Sequence, residues 1–215
     1  MPMKPLAAVL DVLARDSRLG SPAIGTLDLL MDLFHYGDFS VFEQVASYGA
    51  VDFVNLAGFK GQAGGTDALW LVSCVSTSPD PVPARWQRTG GDGVTPRYDA
   101  TTDRIYGLGA NSGKVDLVLK ILAASRFRRE ALARPLGVIA LYGEEARSTG
   151  LRSLLHARTA RPGAVVMHAP TNLELWTGHP GCVTIRVGIT RELRHRRMPP
   201  TRGVFELMIE GRSQH

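Results

Sequence analysis

The chain has 215 residues, 44% apolar and 21% charged, the balance of an ordinary soluble protein holding one domain, or one domain and part of another. Six Arg against three Glu in residues 191–215 supply +3 of the net charge of +5, but no basic–aromatic alternation or zinc-finger spacing accompanies them, so nucleic acid is not the expected partner. The start Met1-Pro2-Met3-Lys4 lacks a signal peptide's apolar core, no apolar run approaches membrane-spanning length, and Cys74 and Cys182 form no motif; the expectation is a cytoplasmic protein with reduced thiols and no membrane contact.

In chain order, Leu6–Leu13 carries apolar residues at helical spacing and Ser17–Gly25 breaks it. A second helix is predicted from Thr26, a candidate N-cap, through Phe34, with His35 packed among apolar neighbours, and Val41–Ala46 reads as a further helical turn or two. From Val51 the period changes. Val51–Ala57 and Ala68–Val75 read as strands joined by the glycine-marked turn Gly58–Gly65, a hairpin feeding a sheet. The proline-fixed loop Ser76–Pro83 and an irregular stretch to Tyr98 lead to Gly107-Leu-Gly-Ala-Asn-Ser-Gly-Lys114. That tight turn opens a helix over Val115–Ser125, with Ser112 placed to cap it and Asn111 and Lys114 as ordinary polar residues of its first turn.

The most informative stretch is Gly137-Val-Ile-Ala-Leu-Tyr-Gly-Glu-Glu145. Val138–Tyr142 is a wholly apolar run, as a buried strand requires, and Gly143 ends it. Glu144 and Glu145 therefore sit where a buried strand surfaces, the edge at which open α/β sheets hold ligands. Two adjacent carboxylates leaving a strand point in different directions, so one can ligate a metal while the other moves a proton to or from a water; the alternative is a solvated pair in a turn. Thr149–His156 reads as a short helix and Gly163–Met167 as another buried strand closed by His168-Ala-Pro-Thr171. Cys182–Ile189 and Val204–Ile209 read as strands flanking the basic loop Arg191–Arg202. The alternation of strand and helix predicts the α/β class, a largely parallel sheet with helices on its faces.

Over residues 50–215 the chain resembles the zinc-dependent family of aminoacylases, acetylornithine deacetylase, succinyl-diaminopimelate desuccinylase and carboxypeptidase G. The family's His-x-Asp-x-x-Pro is similar to Cys74-Val-Ser-Thr-Ser-Pro79, its Gly-x-Gly-Ala-x-Asp-x-Lys to Gly107–Lys114, and its Glu-Glu-x-Gly-x-x-Gly to Glu144–Gly150. Its Glu-Pro-Thr is similar to Ala169-Pro-Thr171, its His-x-Gly to His179-Pro-Gly181, and its lid signature to Gly211-Arg-Ser-Gln-His215. The resemblance implies a zinc-exopeptidase-like catalytic domain over 1–180 and the start of an α+β lid over 181–215, which suits a homodimer formed through the lid strands. It implies hydrolysis of the amide bond of N-acyl amino acids or small peptides by two zinc ions and an activated water, with Glu144 as general base, Glu145 as metal ligand and His215 reaching substrate.

The matched positions depart from that pattern. Cys74 stands for the first His ligand, Ser76 for the Asp that orients it, Ser112 for the bridging Asp and Ala169 for the Glu of Glu-Pro-Thr. Arg147 puts a cation where the family has glycine, and the family's last His ligand falls in a half that residues 1–215 do not reach. The expectation is a catalytically inactive homologue holding no zinc or at most one ion. Two alternatives stay open: an active hydrolase with a single metal on Cys74, Glu145 and His168, and a non-catalytic binding or dimerisation module.

Overall fold

The computed structural model describes residues 4–18, 24–61, 67–78, 83–144, 148–157, 162–178, 181–191 and 201–211. The chain divides into two compact units, Met1–Pro170 and Thr171–His215. The elements are α1 (Pro5–Leu13), α2 (Ile24–Tyr36), β1 (Ser40–Tyr48), β2 (Val51–Lys60), β3 (Ala68–Cys74), β4 (Arg97–Asp99), β5 (Arg104–Tyr106), α3 (Gly113–Ala124), β6 (Leu136–Leu141), α4 (Thr149–His156), β7 (Pro162–Met167), β8 (Gly181–Arg191) and β9 (Thr201–Gly211). In the second unit β8 and β9 form one antiparallel ladder from Gly181↔Gly211 to Arg191↔Thr201.

The first unit is built on a five-stranded sheet in the order β1-β2-β6-β3-β7. The α/β class stands, and the sheet is mixed: β6, β3 and β7 run parallel, whereas β1–β2 and β2–β6 pair antiparallel. The connection from β3 through α3 steps to one side, and that from β6 through α4 steps back past β3 to the other. Right-handed crossovers in opposite directions place their helices on opposite faces. Leu117, Val118 and Ile121 of α3 accordingly join α1 and α2 in one buried cluster, while Leu154 of α4 joins Ala57, Trp70, Ile139 and Leu141 in another. The gap between the carboxyl ends of β3 and β6 is thus the topological switch point of the sheet.

Several local expectations are corrected. Val41–Ala46 belongs to β1, not to a helix, because the stretch pairs residue for residue with β2 from Ser40↔Phe59 to Tyr48↔Val51. Its apolar spacing imitated a helix because an edge strand leaves positions such as Val45 open to solvent. The hairpin is β1–β2, closed by Gly49 and Ala50 with Gly49 at φ 62, the tight-turn class that places glycine first. β2 and β3 do not pair, since β6 lies between them. Gly58 is no turn residue; it sits in mid-strand beneath Phe34 and Phe39, where a Cβ would collide with the Phe34 ring. Thr26 lies inside α2, its buried hydroxyl donating to the Asp16 carbonyl, and His35 is exposed. The β7 strand, expected to be buried, is the sheet's edge and is exposed along its length.

Two helix starts press directly on two strand ends. A Cβ on Gly113 would collide with the carbonyl of Cys74, and one on Gly150 with the carbonyl of Tyr142. Backbone of this kind has no soft neighbour to displace. Gly150→Ala is therefore expected to destabilise the protein by about 2 kcal/mol or more, measured as a fall in the urea midpoint with unchanged slope, whereas alanine at the unobstructed Gly90 should cost only the strain of its positive φ.

Candidate functional site

The carboxyl ends of the parallel strands gather most of the positions that the resemblance singles out. Val75 donates to the Leu141 carbonyl at 2.9 Å, which holds the ends of β3 and β6 side by side. The backbone N–H of His168 donates to Val72 at 3.2 Å, which brings the end of β7 to the same edge. The contact of Gly113 with Cys74 adds Ser112 and the start of α3. Cys74, Ser76, Ser112, Glu144, His168 and Ala169 thus meet along one edge, around the switch point.

Past Leu141 the β2–β6 ladder has ended, and a side chain takes over. Asn55, fully buried, accepts from the Tyr142 backbone N–H at 2.8 Å and donates to the Gly150 carbonyl at 3.1 Å and to Gln44 Oε1 at 2.7 Å. It fixes both ends of the loop that carries Glu144. Tyr142 is buried, and desolvation raises its phenol pKa. The phenol lies near Thr26, whose own proton goes to the Asp16 carbonyl, and the Thr26 hydroxyl draws the phenol's pKa part of the way back down. Glu144 is half-buried at the start of α4, its carboxylate accepting from the Ser148 hydroxyl at 3.1 Å and its carbonyl from the Ser148 N–H at 3.1 Å. Ser148 holds φ 54, which turns the chain into the helix.

Glu145, Arg147, His179 and His215 lie outside the described residues. Cys74, the last residue of β3, and His168, just past β7, are both half-buried. Ser112 occupies the residue before α3 but caps nothing: its hydroxyl donates back to the Gly109 carbonyl at 3.1 Å, within the glycine turn. Ser76 is buried and its hydroxyl has no partner among the described residues. A serine hydroxyl, a second one and an alanine methyl, at positions where the resemblance places carboxylates, do not fit a pair of zinc ions, which need negative charge between and around them. Among the described residues no three His, Cys, Asp or Glu side chains converge on one point.

Lys114 and Asn55 carry structural weight that the sequence did not signal. Lys114, expected to be an ordinary polar residue, is 1% exposed. Its ammonium donates to the Arg15 carbonyl at 2.5 Å, tying the loop after α1 to the glycine turn. The same loop pairs with the residues after β3: Thr77 N–H donates to the Ser17 carbonyl at 3.2 Å, and the two hydroxyls lie 3.3 Å apart. Burial pushes the Lys114 ammonium down to about 8, with Asp16 pulling it back up and Arg18 adding to the fall.

The sheet order and its helices match known structures. The fold is shared with the di-peptidase Dug1p from Saccharomyces cerevisiae (TM-score 0.60, 12% identity, 86% of this chain and 41% of that one). It is shared as well with an M20 family metallo-carboxypeptidase from Sulfolobus solfataricus (TM-score 0.60, 18% identity, 88% of this chain and 41% of that one), and with human carnosine dipeptidase 1 (TM-score 0.57, 17% identity, 86% and 41%). The chain thus spans about two-fifths of the length of each. No protein-family model matches the sequence, and no curated protein matches it. The first unit therefore has the fold seen in metallopeptidase catalytic domains, a mixed sheet flanked by helices. Among the described residues no helix is long and apolar enough to cross a membrane.

The buried ammonium gives a pH signature. The folded pKa of Lys114 lies below its ordinary 10.5, so between about pH 8 and 10.5 the unfolded chain binds more protons and stability rises with pH; below pH 8 both states are charged and the slope vanishes. Lys60, lowered by burial too, acts in the same direction. Comparing wild type with Lys114→Met from pH 7.5 to 10.5 by urea unfolding, the variant should lack as much as about 3 kcal/mol of that rise. Parallel curves would contradict the assignment.

Proposed function

We propose that the chain is a zinc-metallopeptidase homologue whose switch-point edge binds a peptide or N-acyl amino acid without the family's two-metal hydrolysis. One observation carries the reading. The edge that holds the metal pair in the resembling family is assembled here from the ends of β3, β6 and β7 and the start of α3, yet Cys74, Ser112 and Ala169 stand at its ligand positions and Ser76 at the position of the orienting Asp. The fold likeness to the yeast, archaeal and human peptidases supports it. Glu144 keeps the place of the family's general base. Its half-buried carboxylate, held by Ser148, is then a hydrogen-bond acceptor for a ligand amide rather than a base facing a metal-bound water.

Zinc stoichiometry tests this directly. After dialysis against micromolar zinc, elemental analysis should find less than one equivalent per chain, and chelator should leave the unfolding midpoint unchanged because no folding energy depends on metal. Two tightly held equivalents would refute the proposal.

Restoring the four positions together, as Cys74→His, Ser76→Asp, Ser112→Asp and Ala169→Glu, should raise zinc affinity by at least roughly tenfold over wild type, since ligands and the groups that orient them act as a unit. Competition with a chromogenic chelator measures it. An unchanged affinity would mean that these positions are not the ligand set.

A further inference from the structure

The 3-10 turn Pro83–Thr89, the strand β5 and the turn Gly107–Asn111 line a half-open cavity of about 430 Å³. Its size suits a small organic ligand, since such sites typically run from about 300 to 1,000 Å³. Arg85, Trp86, Gln87, Arg88, Tyr106 and Asn111 face it, and none of the described lining residues is acidic. Two of these side chains are fixed in advance. The Trp86 indole lies against Gly93, where a Cβ would come within 3.0 Å of Cε2 and Cζ2. The Arg88 guanidinium lies 5.0 Å from the centre of the Tyr106 ring and donates to its hydroxyl at 2.7 Å. The β4–β5 hairpin holds Tyr106 in turn, through its register with Arg97.

We propose that this cavity binds a small anion carried on an aromatic ring. Guanidinium forks match the planar or tetrahedral oxygens of a carboxylate or phosphate and can engage them through two parallel hydrogen bonds. Trp86 and Tyr106 offer ring surface beside those forks, and stacking there discriminates flat ligands from aliphatic ones. The Gln87 and Asn111 amides each present a donor and an acceptor, which suits the polar edge of a heterocycle. A cation would meet the Arg88 guanidinium, and a purely apolar ligand would desolvate it without replacing its hydrogen bonds to water. The anionic group is either the phosphate of a nucleotide or the carboxylate of an aryl acid. This site uses no residue of the proposed peptide edge and does not depend on that reading.

Isothermal titration of the whole chain with adenosine monophosphate and with indole acetate tests the proposal, with inorganic phosphate and adenosine as the bare anion and the bare ring. At least one ring-bearing anion should bind with a Kd below about 1 mM and more tightly than either control. Binding of the nucleotide alone identifies phosphate as the anionic group, and binding of indole acetate alone identifies carboxylate. Arg88→Lys keeps the charge but loses the fork and should weaken the bound anion roughly tenfold. Arg85→Ala, at an exposed position, should do the same without shifting the unfolding midpoint. Absence of binding by both ring-bearing anions overturns the proposal, and so does equal binding of inorganic phosphate. Affinities unaffected by both substitutions overturn it too, because they would place the anion elsewhere on a basic surface.

Discussion

Everything at the candidate edge depends on how closely two helices approach the strands they follow. α3 begins against the Cys74 carbonyl and α4 begins against the Tyr142 carbonyl, each through a glycine that has no atom to spare. Because the two helices leave for opposite faces, the backbone between them must part, and the parting creates the crevice. The glycines thus explain part of the motif spacing in physical terms. Gly150 stands where α4 must start against the end of β6, and Gly113 stands next to Ser112 because α3 must start where β3 stops. These demands are steric and are independent of any metal.

Buried polar groups hold this geometry at each point where the regular ladders stop. Asn55 extends the β2–β6 pairing by one side-chain hydrogen bond and reaches across to Gly150. Lys60 is 1% exposed, yet its ammonium donates to the carbonyls of Ala124 at 3.3 Å and Phe127 at 2.9 Å, lies 3.9 Å from Asp38 and sits over the Phe39 ring at 5.2 Å. A cation at the carboxyl end of α3 is favoured by the helix dipole as well. Lys114 is the opposite case, a buried cation at the amino end of the same helix. Its charge is tolerated because the head leaves α3 altogether and meets the carbonyl of Arg15 just past α1. On the sheet side, Asp116 accepts from Ser73 at 2.5 Å and pairs with Lys120, which also donates to the Val72 carbonyl at 2.8 Å. Lys60 and Lys114 thus sit at the two ends of α3 and Lys120 within it, and only Lys114 is placed against the helix's own field.

How much of this was legible in the sequence followed from the range of each signal. The central strand, the glycine turn and the helices after it were readable because a fully apolar run or a helical period is a local pattern. The edge strand β1 was not, since what makes Ser40–Tyr48 extended is its partner in β2 and not its own spacing. The same holds for pairing order: nothing within Val51–Val75 says that β6 will insert between β2 and β3. Lys114 read as a surface residue because lysine usually is one, and its carbonyl partner lies 99 residues away in sequence. Of the candidate site, Cys74, Ser112 and Glu144 were singled out by a resemblance in order and spacing and His168 only as the neighbour of a matched position, while Asn55, which ties β2 to both Tyr142 and Gly150, left no local trace.

The substitutions also change what the edge can attract. A two-metal crevice is ringed by carboxylates because it must neutralise two divalent cations, and its own potential is strongly negative until they arrive. At the positions where the resemblance implies carboxylates this chain has Ser76, Ser112 and Ala169, which bring no negative charge, and Glu144 is the described carboxylate among the matched positions. Beside it, the turn Gly107–Asn111 forms one wall of a cavity whose charged lining is Arg85 and Arg88. Arginine rather than carboxylate is thus the charged side chain that the pocket beside α3's start presents, and a basic lining attracts anions more readily than cations.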